Sequence, residues 1–261
     1  MSDRIFTCLA LGLAICFFVG ILFCVELGWR LGHKQTKIKD DESLEGTKTI
    51  EAALLGLLGL LVAFTFSGAA SRFDSRRLLV IQETNLIGTA YLRLDLLPTS
   101  IGLEVKKMMR DYLDLRIETF RNLSNPEIRA EKMAATQTLQ KQIWQRTMVG
   151  LRQDSIGPSA MLILPVLNDV FDITTTRSMW TLMHPPMVIL VLLIVIGLAC
   201  SLVAGYSMVK EKSRRWVHIF GFAFVLTFTF YVILDLEFPR LGFIRVDSFD
   251  NAMVALRASL N

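Results

Sequence analysis

Charge is almost missing from four stretches of this 261-residue chain. Residues 5–25, 52–70, 185–209 and 217–236 contain no Glu, Lys or Arg and a single Asp, Asp235, close to the end of the fourth stretch. A hydrocarbon core ~30 Å thick is crossed by about 20 apolar residues in an α-helix. Each stretch is that long. Helices of soluble proteins keep a polar face over such lengths, so the missing charge excludes an ordinary soluble protein. The composition agrees: 52% of residues are hydrophobic, 20% are charged, and the mean hydropathy is +0.47. A cleaved signal peptide has an apolar region of only ~7–15 residues ending at a small-residue cleavage site. The first stretch is longer and runs into Glu26, Leu27, Gly28 and Trp29, so it reads as a retained anchor.

Cysteine is absent from everything outside the apolar stretches. Cys8, Cys16, Cys24 and Cys200 all lie within them, and the first three recur at every eighth position of one helix, too far apart to pair. There is no CxxC and no metal-ligand spacing, so no metal and no cofactor is expected. Histidine is scarce: His33, His184 and His218 are far apart and all near membrane borders. HExxH, GxSxG, the P-loop and GxGxxG are missing, and with them any enzymatic reading. Strand alternation, internal repeats and low-complexity segments are absent too. The net charge is only +4 and no basic patch gathers, which argues against a nucleic-acid partner.

The expected fold is therefore an all-α membrane protein with four transmembrane helices and a helical extramembrane domain between the second and third. The chain divides as 1–28 (first transmembrane helix), 29–49 (a loop of mixed charge), 50–70 (second transmembrane helix), 71–184 (helical extramembrane domain), 185–209 (third), 210–216 (basic loop), 217–236 (fourth) and 237–261 (C-terminal tail). Nothing breaks the second span at its end. Its pattern predicts one helix running on to Leu97, where Pro98 stops it, leaving the membrane as a stalk. The next helix, over 100–121, has an apolar stripe of Ile101, Val105, Met108, Tyr112 and Leu115. Asn125-Pro126-Glu127 is a helix start with a capping side chain, a proline and an acid against the dipole. That helix runs to about Arg152. Gly157-Pro158-Ser159 opens the last helix of the domain, which Pro165 is expected to kink. Asn122-Leu123-Ser124 matches a glycosylation sequon and is assigned no role.

Basic residues collect beside the spans: Lys34, Lys37 and Lys39; Arg72, Arg76 and Arg77; Lys210, Lys212, Arg214 and Arg215. They read as flanking charge that sets topology and touches anionic lipid. Four spans put both termini and the domain on one side. The basic loop 210–216 argues for a cytoplasmic loop, whereas Arg72, Arg76, Arg77, Arg240 and Arg245 argue for a cytoplasmic domain.

The second span carries the most information. Ala52, Gly56, Gly59, Ala63, Ser67 and Ala70 share one narrow face, continued beyond the membrane by Asp74, Arg77, Asn85 and Gly88. Small residues at this spacing either permit close helix packing or line a narrow pathway. In the second case Phe64 and Phe66 sit at or beside it as an apolar constriction that excludes water. Two other groups are weighed. Asp235 and Glu237, with Pro239 and Arg240, form either an ion or proton relay or an interfacial Asp–Arg pair that fixes a helix end. Asn168, Asp169, Asp172 and Thr176 share adjoining turns and offer oxygen ligands of the kind Ca²⁺ takes, or a solvated face paired with Arg177.

Residues 60–77 read LLVAFTFSGAASRFDSRR. This resembles the segment of bacterial bestrophins in which an apolar helix ending in Phe64 passes into the small residues 67–70, then Arg72-Phe73, then Arg77. Glu83, Thr84 and Asn85 fall where that family has a polar turn of its long second helix. The order of two spans, a helical domain and two more spans matches as well. The tail, Asp235-Leu-Glu-Phe-Pro-Arg-Leu-Gly, is similar to bacterial membrane proteins described as bestrophin-like. The resemblance implies an ion channel of the bacterial inner membrane, a homopentamer for small ions with a cytoplasmic domain. Its second helix would line the pore through Gly56, Leu60, Ala63, Phe64 and Ser67, with Asp74 and Arg77 on the extramembrane pathway. The implied apolar neck is Gly56, Leu60 and Phe64. Departures are Gly56 in place of a bulky residue, Thr65 in place of Arg and Asp74 in place of an aromatic. The acidic run that clasps calcium in animal bestrophins has no counterpart. Alternatives are a membrane scaffold or sensor whose domain binds a partner protein, and a transporter or motor-stator-like subunit.

Overall fold

The computed structural model describes residues 3–35, 43–121, 126–153, 157–210, 216–239, 242–244 and 247–260. These form eight α-helices: α1 Asp3–Gln35, α2 Ser43–Arg93, α3 Thr99–Arg121, α4 Pro126–Gln153, α5 Pro158–Trp180, α6 Met187–Ser207, α7 Trp216–Glu237 and α8 Asp247–Ser259. No strand occurs among the described residues. Four helices are long and apolar enough to cross a membrane, within Thr7–Lys34, Thr49–Leu96, Met187–Ser207 and Trp216–Glu237. The protein is a multi-pass membrane protein. The sequon, Lys37, Lys39, Arg240, Arg245, Asn125 and most of the basic loop 210–216 lie outside the described residues.

The chain forms two compact units. One comprises Arg4–Phe73 and His184–Ile244, the other Met1–Asp3, Asp74–Met183 and Arg245–Asn261. Helix α2 is uninterrupted from Ser43 to Arg93 and contributes to both.

In the first unit, α1, α2, α6 and α7 pack around Phe17, Ile21, Leu58, Ala69, Leu193, Ala223 and Phe230. Lipid gives no hydrophobic drive for apolar helices to associate, so van der Waals contact and small residues hold them. The closest approach is a glycine seam between α1 and α6. A Cβ placed on Gly28 would overlap the carbonyl of Leu202, and one on Gly205 the carbonyl of Val25. At Gly197 it would lie 2.9 Å from the Phe17 ring. The chain's close intramolecular packing between small residues is thus made here, and not by the small face of α2. Cys8, Cys16, Cys24 and Cys200 are all free, and Cys200 is buried in this packing.

The second unit buries Ile87, Leu94, Ile101, Val105, Met109, Tyr112, Leu113, Ile143, Ile163, Leu167 and Val170. Pro98 stops the α2 segment as expected; Leu97 is extended, with φ −81° and ψ 157°. The buried stripe of α3 differs from the expected one. It runs Ile101, Val105, Met109, Tyr112 and Arg116, while Met108 is half-buried and Leu115 lies outside the core. A sequence pattern scores Arg116 as surface. In the fold it is fully buried because a carboxylate meets it, and the stripe turns to follow it. Pro165 sits inside α5. The tail carries α8, whose Met253 and Leu260 join this second core.

Gly28→Leu and Gly205→Leu should lower the thermal unfolding midpoint in detergent, at more than the ~1–3 kcal/mol of ordinary overpacking because backbone atoms are struck. Gly12→Leu, which meets nothing within 4 Å, should leave the midpoint unchanged.

Candidate functional site

Helix α2 has two faces from Gly56 to Ala90. One side is buried: Leu58, Thr65, Ala69, Arg76, Val80, Glu83, Ile87 and Ala90 recur at helical spacing. Thr65, at the position expected to differ from bacterial bestrophins, lies on this side and donates its hydroxyl to the Leu61 carbonyl at 2.6 Å. The other side is bare. Gly56, Leu60, Ala63, Phe64 and Ser67 are all exposed within the single chain. Phe64 is 68% exposed, and a Cβ added at Gly56 or Gly59 meets nothing within 4 Å. Phe66 is exposed as well, but it points away from Phe64, about 160° round the helix. In the other unit Asp74 is exposed, paired with half-exposed Arg77 through an Oδ1–Nη1 contact of 3.0 Å. Gly88, expected on this face, is instead half-buried against Leu256 of α8.

Two of the three arginines after the span are structural. Arg72 donates from Nε to Glu237 Oε1 at 2.9 Å and Oε2 at 3.2 Å, with Nη2 on Oε1 as well. Glu237, at the end of α7, is 1% exposed in its side chain. His184 Nδ1 lies 3.7 Å from the same carboxylate, and the His184 ring stacks on Phe238 at 4.5 Å. Arg76 is buried and turns its guanidinium onto the carbonyls of Trp180 at 3.3 Å and Met183 at 2.8 Å. The Trp180 carbonyl belongs to the last turn of α5, whose carbonyls have no partner within the helix. Arg72 and Arg76, which flank the span, are thus also paired inside the chain.

The acids of the tail resolve differently from either reading. Asp235 is buried and accepts the backbone N–H groups of Phe243 at 2.9 Å and Ile244 at 2.7 Å. Its partner among the described residues is main chain, while Glu237 takes the arginine. A Cβ at Gly242 would collide with Asp235 Oδ1. Asp235, Glu237 and Gly242 of the tail motif thus fold one turn back onto the end of the last span.

A family model described as Bestrophin-like domain matches residues 6–249. The chain belongs to the bestrophin-like family. No curated protein and no solved structure matches it.

In this bestrophin-like chain the polar turn after the second span is the centre of an ionic network. Glu83 has no exposed surface. Its Oε1 accepts from Arg116 Nε at 2.5 Å, and its Oε2 from Arg177 Nη1 at 2.7 Å. Arg177 Nη2 continues to Asp250 Oδ1 at 2.9 Å. Both guanidinium groups lie over Phe120, at 3.4 Å for Arg177 and 4.9 Å for Arg116. Nη2 of Arg116 makes no hydrogen bond. Arg177, expected to pair with the Asp169–Asp172 face, turns to Glu83 and Asp250 instead. Asn168, Asp169, Asp172 and Thr176 stay exposed. Among the described residues no three His, Cys, Asp or Glu side chains converge as a metal site. Beside the network the Tyr112 hydroxyl meets Thr174 Oγ1 at 2.6 Å. Burial, aided by the Glu83 charge, pushes Tyr112 up to about 12.

Burial by itself would raise the Glu83 carboxyl. The charges and hydrogen bonds of Arg116 and Arg177 outweigh it and hold the group below its usual 4.5. A depressed acid contributes stability that is present above the unfolded value and lost as pH falls through the folded one. Glu83→Gln leaves two buried guanidinium groups undercompensated and should cost about 3–5 kcal/mol. The gap between wild type and Glu83→Gln in unfolding free energy should be constant above pH 4.5 and shrink below it, as measured by denaturant melts across pH.

Proposed function

We propose that this chain is one subunit of an oligomeric ion channel whose pathway for small ions runs along the bare face of α2. Gly56, Leu60, Ala63, Phe64 and Ser67 line it within the membrane, and Asp74 and Arg77 stand beyond it. The observation that carries this reading is the two-sidedness of α2. Inside an apolar span, a glycine with open space around it and a phenylalanine 68% exposed lie opposite a fully packed face. Small residues on a membrane helix favour close approach of other helices, and among the described residues Gly56 and Gly59 have open space beside them. Other copies arranged around a common axis supply such neighbours and leave a narrow central space. Bulky apolar side chains on that axis exclude water. Membership of the bestrophin-like family supports the same reading, and the resemblance to bacterial bestrophins favours five copies in a bacterial inner membrane with a cytoplasmic domain. A motor-stator or proton-coupled transporter subunit wants an ionisable residue deep in a span, and residues 52–70 have none. A scaffold or sensor would carry no current.

Purified protein in a planar bilayer under asymmetric salt tests conduction directly. Phe64→Ala should raise unitary conductance or open probability. Unchanged unitary current together with a weakened oligomer would identify Phe64 as a packing residue instead. Native mass spectrometry in gentle detergent should give a closed oligomer, five by expectation; a clean monomer sinks the assembly. For topology, a cysteine at Asn125 should resist an impermeant reagent in intact cells while one in the loop 210–216 reacts. The reverse pattern puts the domain outside.

A further inference from the structure

We infer that the cleft between α4 and α5 is a binding site for a small aromatic carboxylate. All of its residues belong to one compact unit of the chain, and the site does not depend on α2 lining a pathway.

Helix α4 lies along α3, tied by Lys132 to Glu118 and by Arg146 to Glu104, and it turns Ile143, Thr147 and Leu151 inside. Towards α5 it leaves a cleft of about 360 Å³. A volume of this size falls within the ~300–1,000 Å³ of small-molecule sites. The α4 wall is Gln137, Gln140, Lys141, Trp144 and Gln145, and the α5 wall is Asn168 and Phe171. The five α4 positions are spaced 3-1-3-1, which is one face of a helix. Apolar residues are expected on a face turned to a neighbouring helix. Here three of the five are amides and one is a cation. Only Trp144 is apolar, and with Phe171 it is half-buried against the core of the unit.

These side chains select a ligand by what they offer and by what they lack. Trp144 and Phe171 bring aromatic surface from two helices, and aromatic side chains favour a further ring in offset or edge contact. The four amides carry N–H donors. Gln140 places one N–H on Thr174 Oγ1 at a long 3.5 Å, so its amide keeps donor capacity for a ligand. Lys141 is the one charged group among the lining residues and is exposed. No carboxylate lines the cleft; Asp169 and Asp172 are exposed on α5 outside it. A ring held by Trp144 and Phe171, with a carboxylate turned to Lys141 and the amides, uses each of these groups. Hydrogen bonds to an ionised acceptor are the strong ones. A neutral ring forgoes the lysine, and an aromatic amine meets it as a like charge.

The test is titration calorimetry of the full chain in detergent with indole-3-acetate, the heat of empty micelles being subtracted. Saturable binding is expected at about 1 mM or tighter. Indole-3-ethanol, with the ring but no charge, should bind severalfold more weakly, and tryptamine more weakly still. Lys141→Gln should weaken indole-3-acetate severalfold and leave indole-3-ethanol unchanged. Lys107→Gln removes an exposed cation of α3 outside the cleft and should change neither. Both lysines are exposed, so neither substitution puts folding at risk. The place of binding is read separately, with fluorotryptophan incorporated throughout. Indole-3-acetate should shift the fluorine resonance of Trp144, identified by its loss in Trp144→Phe, and leave those of Trp29, Trp180 and Trp216 where they are. Four results each overturn the site: no heat beyond that of empty micelles, equal binding of the three probes, binding of indole-3-acetate untouched by Lys141→Gln, or a shift at another tryptophan in place of Trp144. None of them bears on the channel reading.

Discussion

A carboxylate with no exposed surface, Glu83, ties together helices that are distant in the chain. One oxygen belongs to Arg116 on α3 and the other to Arg177 on α5; through Arg177 the tie extends to Asp250 on α8. A buried charge is tolerated only when it is paired and hydrogen-bonded. Once Glu83 is inside, the rotation of α2 in this unit is fixed. The stripe of α3 must then pass through Met109 and Arg116, and α8 must lie where Asp250 and Met253 reach Arg177. The apolar residues around the network supply the bulk of the burial, but they do not choose this arrangement over others of similar area. Directional charge pairs do.

The membrane-spanning unit solves a different problem. Its helices are apolar all round and gain nothing from leaving lipid, so close contact takes the place of the hydrophobic effect. Glycines at 28, 197 and 205 let α1 and α6 approach to the backbone. The end of the unit is closed by polar contacts of two kinds. Glu237 takes Arg72, and Asp235 takes main-chain amides. These pairings hold the turn of the tail against the end of the last span.

What these internal contacts leave uncovered is the surface proposed to be functional. Every inward residue of α2 has a neighbour within its own unit, from Leu58 to Ala90. The outward residues Gly56, Leu60, Ala63, Phe64 and Ser67 stay exposed among the described residues. The bare face thus follows from the packing of the opposite one.

The spans, the helical class, the helix stop at Pro98 and the helix starts at Pro126 and Pro158 were legible in the sequence, because each depends on neighbouring residues alone. An apolar run of sufficient length crosses a bilayer whatever its partners, and a proline that lacks its N–H fits the first turn of a helix or the point just past its end. The stretch from Leu60 to Arg77 and the tail from Asp235 to Gly242 also carried the family. Tertiary structure alone decided which charges go inside. Glu83 meets Arg116 across 33 positions and Arg177 across 94, and Arg72 meets Glu237 across 165. No local pattern encodes such pairings, so Arg116 reads as surface, Met108 reads as core, and Arg72 and Arg76 read as topology signals. The same holds for the small residues. The sequence shows that Gly28, Gly56, Gly59 and Gly205 are small, but only the packing shows that Gly28 and Gly205 are pressed against backbone while Gly56 and Gly59 face open space.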